Sequence, residues 1–284
     1  MERLHPLPPN RSTSFPSTLH PASLRVESEL NKLRAWEIKS CSSTKTITSG
    51  MVQTGLVGLS EVYRCAEELV YSSLTQHGKM LENALEHSLK LLDTCGIVRD
   101  TQHKIREQVL CLQSSFRRPS TQSRLEDKIS TYFKLRKKLN KEASKCIRSL
   151  KQSEKNFLVV VSLKDQNLTM VVKILREVNV MTSRVLRVVL MYLSSTGTGN
   201  RNKRGGCSLI QKLRPTATVE KIVNEVGSVD GALLCVLHAT KEMTMVDRKI
   251  EHLVVSLDSI EVGLDAVFRR LIGYRVSILN ILTR

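Results

Sequence analysis

The sequence predicts an all-α protein, a bundle of long antiparallel helices behind a disordered N-terminal tail. Three observations predict it. Pro6, Pro8, Pro9, Pro16 and Pro21 crowd the start and only Pro119 and Pro215 follow, so nearly all of the chain is free to be helical. From Ser23 onward, apolar residues recur at steps of three and four, the period of one helical face. Hydrophobic residues at 41% and charged residues at 25% lie near globular averages, so the 284 residues hold enough apolar surface for a sizeable core.

Residues 1–22, rich in Ser, Thr and Pro, have no periodic apolar face and read as a disordered tail, with residues 23–284 as a single helical domain. A short first helix carries Leu30, Leu33 and Trp36. A Ser/Thr/Lys linker near residues 40–48 leads to a second, with Met51, Val52, Leu56, Leu59, Val62, Tyr63, Ala66, Leu69 and Val70 on its apolar side. The third is long: its seam runs from Leu81 through Leu85, Ser88, Leu92, Cys95, Val98, Gln102, Ile105, Val109 and Leu112 to Phe116. It should stop before Pro119, whose ring disfavours helical backbone at Arg118. Ser123 and Glu126 have the spacing of a capping box for a fourth helix, whose seam is Leu125, Ile129, Tyr132, Leu139, Ala143, Cys146 and Leu150.

A fifth, Val-rich segment spans 157–193. Its FLVVVSL start resembles a buried strand, but Leu168, Val171, Val172, Leu175, Val178, Val185 and Val189 fall at helical spacing. Residues 194–215, with four Gly, five Lys or Arg and no acid, read as a flexible basic loop. Beyond Pro215 the pattern predicts a helix of about two dozen residues bearing Val219, Ile222, Val226, Leu233 and Leu237. Last, Met243, Val246, Ile250, Leu253, Leu257, Ile260, Leu264, Val267, Leu271, Tyr274, Ile278 and Ile281 alternate steps of three and four without a break. That seam fits a coiled coil or the core helix of an intramolecular bundle.

Composition narrows function. Forty-four Lys or Arg against 27 Asp or Glu give a net charge of +17. The longest uncharged stretch, Thr46 to Ser60, is rich in Ser, Thr and Gly, so no transmembrane helix is expected. Seven scattered cysteines with no CxxC pair, and no signal peptide, imply a reducing, cytoplasmic setting, with a peripheral membrane position open to it. Glu2 is the tail's one acid beside Arg3 and Arg11, a trace of an organellar transit segment that keeps plastid targeting as an alternative, although an amphipathic Arg face is missing.

Catalytic and cofactor chemistry leaves no signature. Gly197 and Gly199 begin a GxG whose third glycine is replaced by Asn202, and there is no Walker loop, HExxH or GxSxG. His77 with His87, and His238 with His252, are too far apart to be adjacent ligands on one helical face. No enzyme, cofactor or metal is therefore expected. Charge is more informative. Residues 119–156 carry eleven basic and four acidic residues, and Lys134, Lys137, Lys138, Lys141, Lys145, Arg148, Lys151 and Lys155 all fall on the outer heptad positions of the fourth helix. Such a face is either a solvated exterior or a docking surface for anionic lipid or an acidic partner. Nucleic acid is the weaker alternative, because aromatics are only 4% and none interleaves with the stripe. In the tail, Arg11, Ser14 and Pro16 fit the R-S-x-S-x-P pattern by which 14-3-3 proteins take a phosphoserine.

The tail PNRSTSFPSTLHP followed by VESELNKLR, the block SLKLLDTCGIVRD leading into LQSSFRR, and the ending GLDAVFRRLIGYRVSILNIL together resemble the plant-specific BYPASS-like family, across essentially the whole chain. The resemblance implies a helical, non-enzymatic protein of root and shoot development. It defines no catalytic residue to carry over.

Overall fold

Apolar residues repeating every three or four positions between widely spaced prolines bury best as helices, and helices are what form. The computed structural model describes residues 21–40, 46–73, 78–117, 122–157, 166–195, 224–238 and 243–283. Seven helices result: α1 (Pro21–Ser40), α2 (Ser49–Ser73), α3 (Gly78–Arg117), α4 (Gln122–Phe157), α5 (Gln166–Leu193), α6 (Glu225–His238) and α7 (Met243–Leu282). No strand occurs among the described residues.

Several boundaries differ from the sequence expectation. Helix α1 takes in Pro21 and the buried Ala22, because proline is well suited to a first helical position where its missing N–H has no partner to lose. Helix α4 begins at Gln122, which puts Ser123 inside its first turn. Phe157 closes α4 and α5 starts at Gln166; residues 158–165, where the strand-like run lies, fall outside the described residues. The helix expected after Pro215 is shorter than its pattern: Asn224 Oδ1 accepts the Gly227 N–H at 2.9 Å and caps α6 there. Val219 and Ile222, most of the basic loop (residues 196–215) and tail residues 1–20 lie outside the described residues.

One apolar cluster runs through all seven helices, and α7 is central to it. Thirteen positions along α7 are buried, among them Leu257, Leu264 and Leu271, and they face α2, α3 and α6. Helices α1 and α5 cover α2, and α4 lies outermost on α5 and α3. Cross-helix pairs give the directions. Arg25–Glu68 (3.0 Å) and the Trp36 Nε1–H bond to the Met51 carbonyl (2.8 Å) make α1 and α2 antiparallel. Arg99–Asp265 (2.5 Å) and Arg117–Glu251 (3.7 Å) do the same for α3 and α7. Two pairs, by contrast, run parallel. Gln53 meets Ser259 and Glu67 meets Arg270 between α2 and α7, while Arg34 meets Glu177 and Glu37 meets Arg184 between α1 and α5. A one-face apolar repeat specifies burial but carries no direction, so these parallel neighbours are not legible in it.

Buried polar groups find partners inside the bundle. The Gln102 amide donates to the Leu257 carbonyl at 2.9 Å, and the Tyr63 hydroxyl pairs with Thr182 at 2.9 Å while its ring meets Tyr274 edge-on. Close approach depends on small residues at two crossings. A Cβ on Gly55 would press into the indole of Trp36, with Cε2 only 2.8 Å away, and one on Gly263 would lie 2.9 Å from Leu56.

Two outcomes are expected. Gly55→Val should push Trp36 outward, costing about 1–3 kcal/mol by overpacking. Because Trp36 is the chain's one tryptophan, its emission should shift to the red; an unshifted spectrum with an unchanged urea midpoint would contradict the packing. Leu264→Asp places a charge in the α7 seam and should abolish the cooperative melt, with helical circular dichroism lost rather than one partner weakened.

Candidate functional site

Helix α4 separates two kinds of surface. Its seam residues Leu125, Ile129, Tyr132, Leu139, Ala143 and Leu150 are buried. The outer heptad positions from Lys134 to Lys155 are ten in number. Eight hold the expected Lys134, Lys137, Lys138, Lys141, Lys145, Arg148, Lys151 and Lys155, and the other two hold Ser144 and Gln152. All eight basic residues are exposed, and none joins an ion pair among the described residues. At 1.5 Å rise per residue the row extends about 32 Å. No exposed large hydrophobic side chain lies on α4 over residues 123–155, so there the face offers charge and hydrogen-bond donors without an apolar anchor.

A ninth basic residue behaves oppositely. Arg136 occupies the seam position between Ile129 and Ala143 and is only 2% exposed. Its guanidinium donates to the carbonyls of Leu193 (2.5 Å) and Ser195 (2.6 Å), and pairs with Asp230 of α6 at 3.2 Å. The second Asp230 oxygen accepts the Tyr132 hydroxyl at 2.7 Å. Burial, and then the Asp230 charge, push the Tyr132 phenol well above its ordinary value, so it stays a protonated donor. Asn224 adds a bond to the Tyr192 carbonyl at 3.0 Å. Together these groups satisfy carbonyls at the end of α5 that would otherwise be buried orphans, and they tie that end to α4 and α6. Sequence reasoning passed over Arg136. The signal was there: a lone arginine at a seam position whose other occupants are apolar.

The remaining candidates are quickly placed. Arg11, Ser14 and Pro16 lie outside the described residues. No group of three or more His, Cys, Asp or Glu able to hold a metal occurs among the described residues. Cys95 is buried and its thiol is pushed up to about 12 by desolvation, so it is a core residue and no nucleophile. Among the described residues no helix is long and apolar enough to cross a membrane.

A family model described as Protein BPS1 matches residues 55–281, from the first turns of α2 to the end of α7. No curated protein and no solved structure matches the chain.

The buried pair gives a thermodynamic test. Arg136→Met strands Asp230 inside the bundle and should cost about 3–5 kcal/mol, whereas replacing both partners with apolar residues should recover much of that loss. Urea unfolding of the two single variants and the double variant checks it; strictly additive losses would mean that the two residues do not act as a pair.

Proposed function

This chain belongs to the BPS1 family, and from that premise we propose that it is a non-catalytic helical interaction protein that docks on anionic membrane surfaces through the outer face of α4, acting in plant root and shoot development. The observation that carries the reading is the row of eight exposed basic residues, in no ion pair among the described residues, with no acid at its ten outer positions. A charged plane needs no directional partner, only a matching density of opposite charge, and each basic side chain near an anionic leaflet contributes about 1 kcal/mol. A specific protein interface would instead centre on buried aromatic or aliphatic anchors, which this face lacks. The Arg11, Ser14 and Pro16 motif adds a 14-3-3 protein as a second, phosphorylation-dependent partner.

Reversal of Lys137, Lys138, Lys141, Lys145 and Arg148 to Glu should leave the melting temperature nearly unchanged, since exposed charges contribute little to stability. Binding to phosphatidylcholine vesicles containing phosphatidylserine should fall about a hundredfold or more in that variant. For the unaltered chain it should weaken as salt shortens the Debye length from about 8 Å toward 3 Å. Vesicle binding that survives the reversal refutes membrane docking. Partners recovered from plant tissue that vanish on nuclease treatment would favour nucleic acid instead.

A further inference from the structure

Where the start of α6 meets the residues just before α2 and the first turns of α7, the bundle leaves an open cavity of about 400 Å³. That volume falls within the range of small-molecule sites. One wall is a single face of α7, presenting Arg248, Lys249 and His252 at helical spacing. Neither Arg248 nor Lys249 joins an ion pair among the described residues. The acids nearest them on α7, Asp247 and Glu251, face Arg117 of α3 instead, at 3.6 and 3.7 Å. The opposite wall supplies the hydroxyls of Thr48 and Ser228 and the capping residue Asn224.

Glu225 is the one carboxylate among the lining residues; one of its oxygens is engaged, and the other, Oε2, is buried with no hydrogen-bond partner among the described residues. Its Oε1 accepts the Ser49 hydroxyl at 2.6 Å and the Ser49 N–H at 3.2 Å, which joins the beginnings of α2 and α6. The donors among the lining residues are the Arg248 guanidinium, the Lys249 ammonium, the His252 imidazole and the hydroxyls of Thr48 and Ser228, while the α6 terminus is already capped by Asn224. A set of this kind matches a doubly charged tetrahedral oxyanion better than a carboxylate, because several donors converge from different directions. We propose that this cavity binds a phosphate monoester, carried either by a soluble metabolite or by a lipid headgroup. The site is separate from the outer face of α4 and stands without it.

The test uses the full chain and inorganic phosphate, titrated at constant ionic strength and followed by phosphorus NMR line width and by melting temperature. Binding should saturate at one ion per chain, at concentrations of about millimolar or below. Arg248→Gln combined with Lys249→Gln should weaken it at least about tenfold. If that double variant melts early, Arg248→Gln alone, at an exposed position, carries the same expectation. The five-charge α4 variant should bind phosphate as the unaltered chain does. Competition separates the sources: displacement by glycerol 3-phosphate alone marks a soluble ligand, and displacement also by vesicles containing phosphatidic acid marks a headgroup. No saturation at about 10 mM, equal binding by the α7 variants, or loss of binding in the α4 variant overturns the assignment.

Discussion

The apolar seam of α7 is the constraint on which the other helices depend. A helix of 40 residues with thirteen buried positions cannot be covered by one neighbour, so α2 and α3 flank it and α6 closes one end. Fit at that seam is set by shape: Gly263 lets Leu56 come close, and Gln102 answers the Leu257 carbonyl that packing would otherwise leave near apolar side chains. The ion pairs along α3 and α7, including Arg106 with Asp258, are part-exposed and contribute modest energy. Their value is registry, because a slip by one turn would break all of them together. With α2 and α3 fixed on α7, α5 and α1 cover α2, and α4 is left as the outermost layer.

That position explains why one helix carries two opposite uses of the same chemistry. On the outward side of α4, lysines keep their hydration and are free to meet an external anion. On the inward side Arg136 is almost fully buried, and its charge is tolerated because Asp230 balances it and two backbone carbonyls accept its hydrogen bonds. Arginine suits that task better than lysine: a planar fork can reach an acid and two carbonyls at once, whereas an ammonium would leave donors unmatched. Its Nε–H is nonetheless left without a partner among the described residues, so the arrangement holds together without being fully satisfied.

Most of the bundle was legible because helical burial is a local property. The seams of α2, α3 and α7 can be read almost throughout, although Met243, expected in the α7 seam, is exposed and Leu91 takes the buried α3 position expected of Leu92; Pro119 follows the end of α3. The eight outer basic residues of α4 were likewise fixed once its seam was known, since heptad position alone assigns them to the outside. What escaped the sequence depends on partners far along the chain. Arg136 and Asp230 are 94 residues apart, and nothing local to either announces the other. Asn224 caps the start of α6 partway along an apolar pattern that begins at Val219, and the parallel run of α2 beside α7 is decided by long-range packing. The cavity beside Arg248 joins the beginnings of three helices, which no periodicity relates.

The separation between the two sides of α4 has a mechanical consequence for docking. Binding energy collected at Lys137, Lys141 or Lys145 is not drawn from the seam, so engagement of an anionic plane need not reorder the bundle. With no exposed large apolar side chain on residues 123–155, attachment through this face would rest on charge and weaken once that attraction is screened or neutralised. Attachment of this kind is graded and reversible, and it responds to the charge of the surface rather than to the shape of one molecule. The proposed site beside Arg248 would obey different rules, because its cations line a concave pocket and not a plane, so discrimination there would rest on size and donor geometry. The two proposed sites would therefore differ in selectivity: the long outer row would read charge density, and the open corner beside Arg248 would read the form of a single anion.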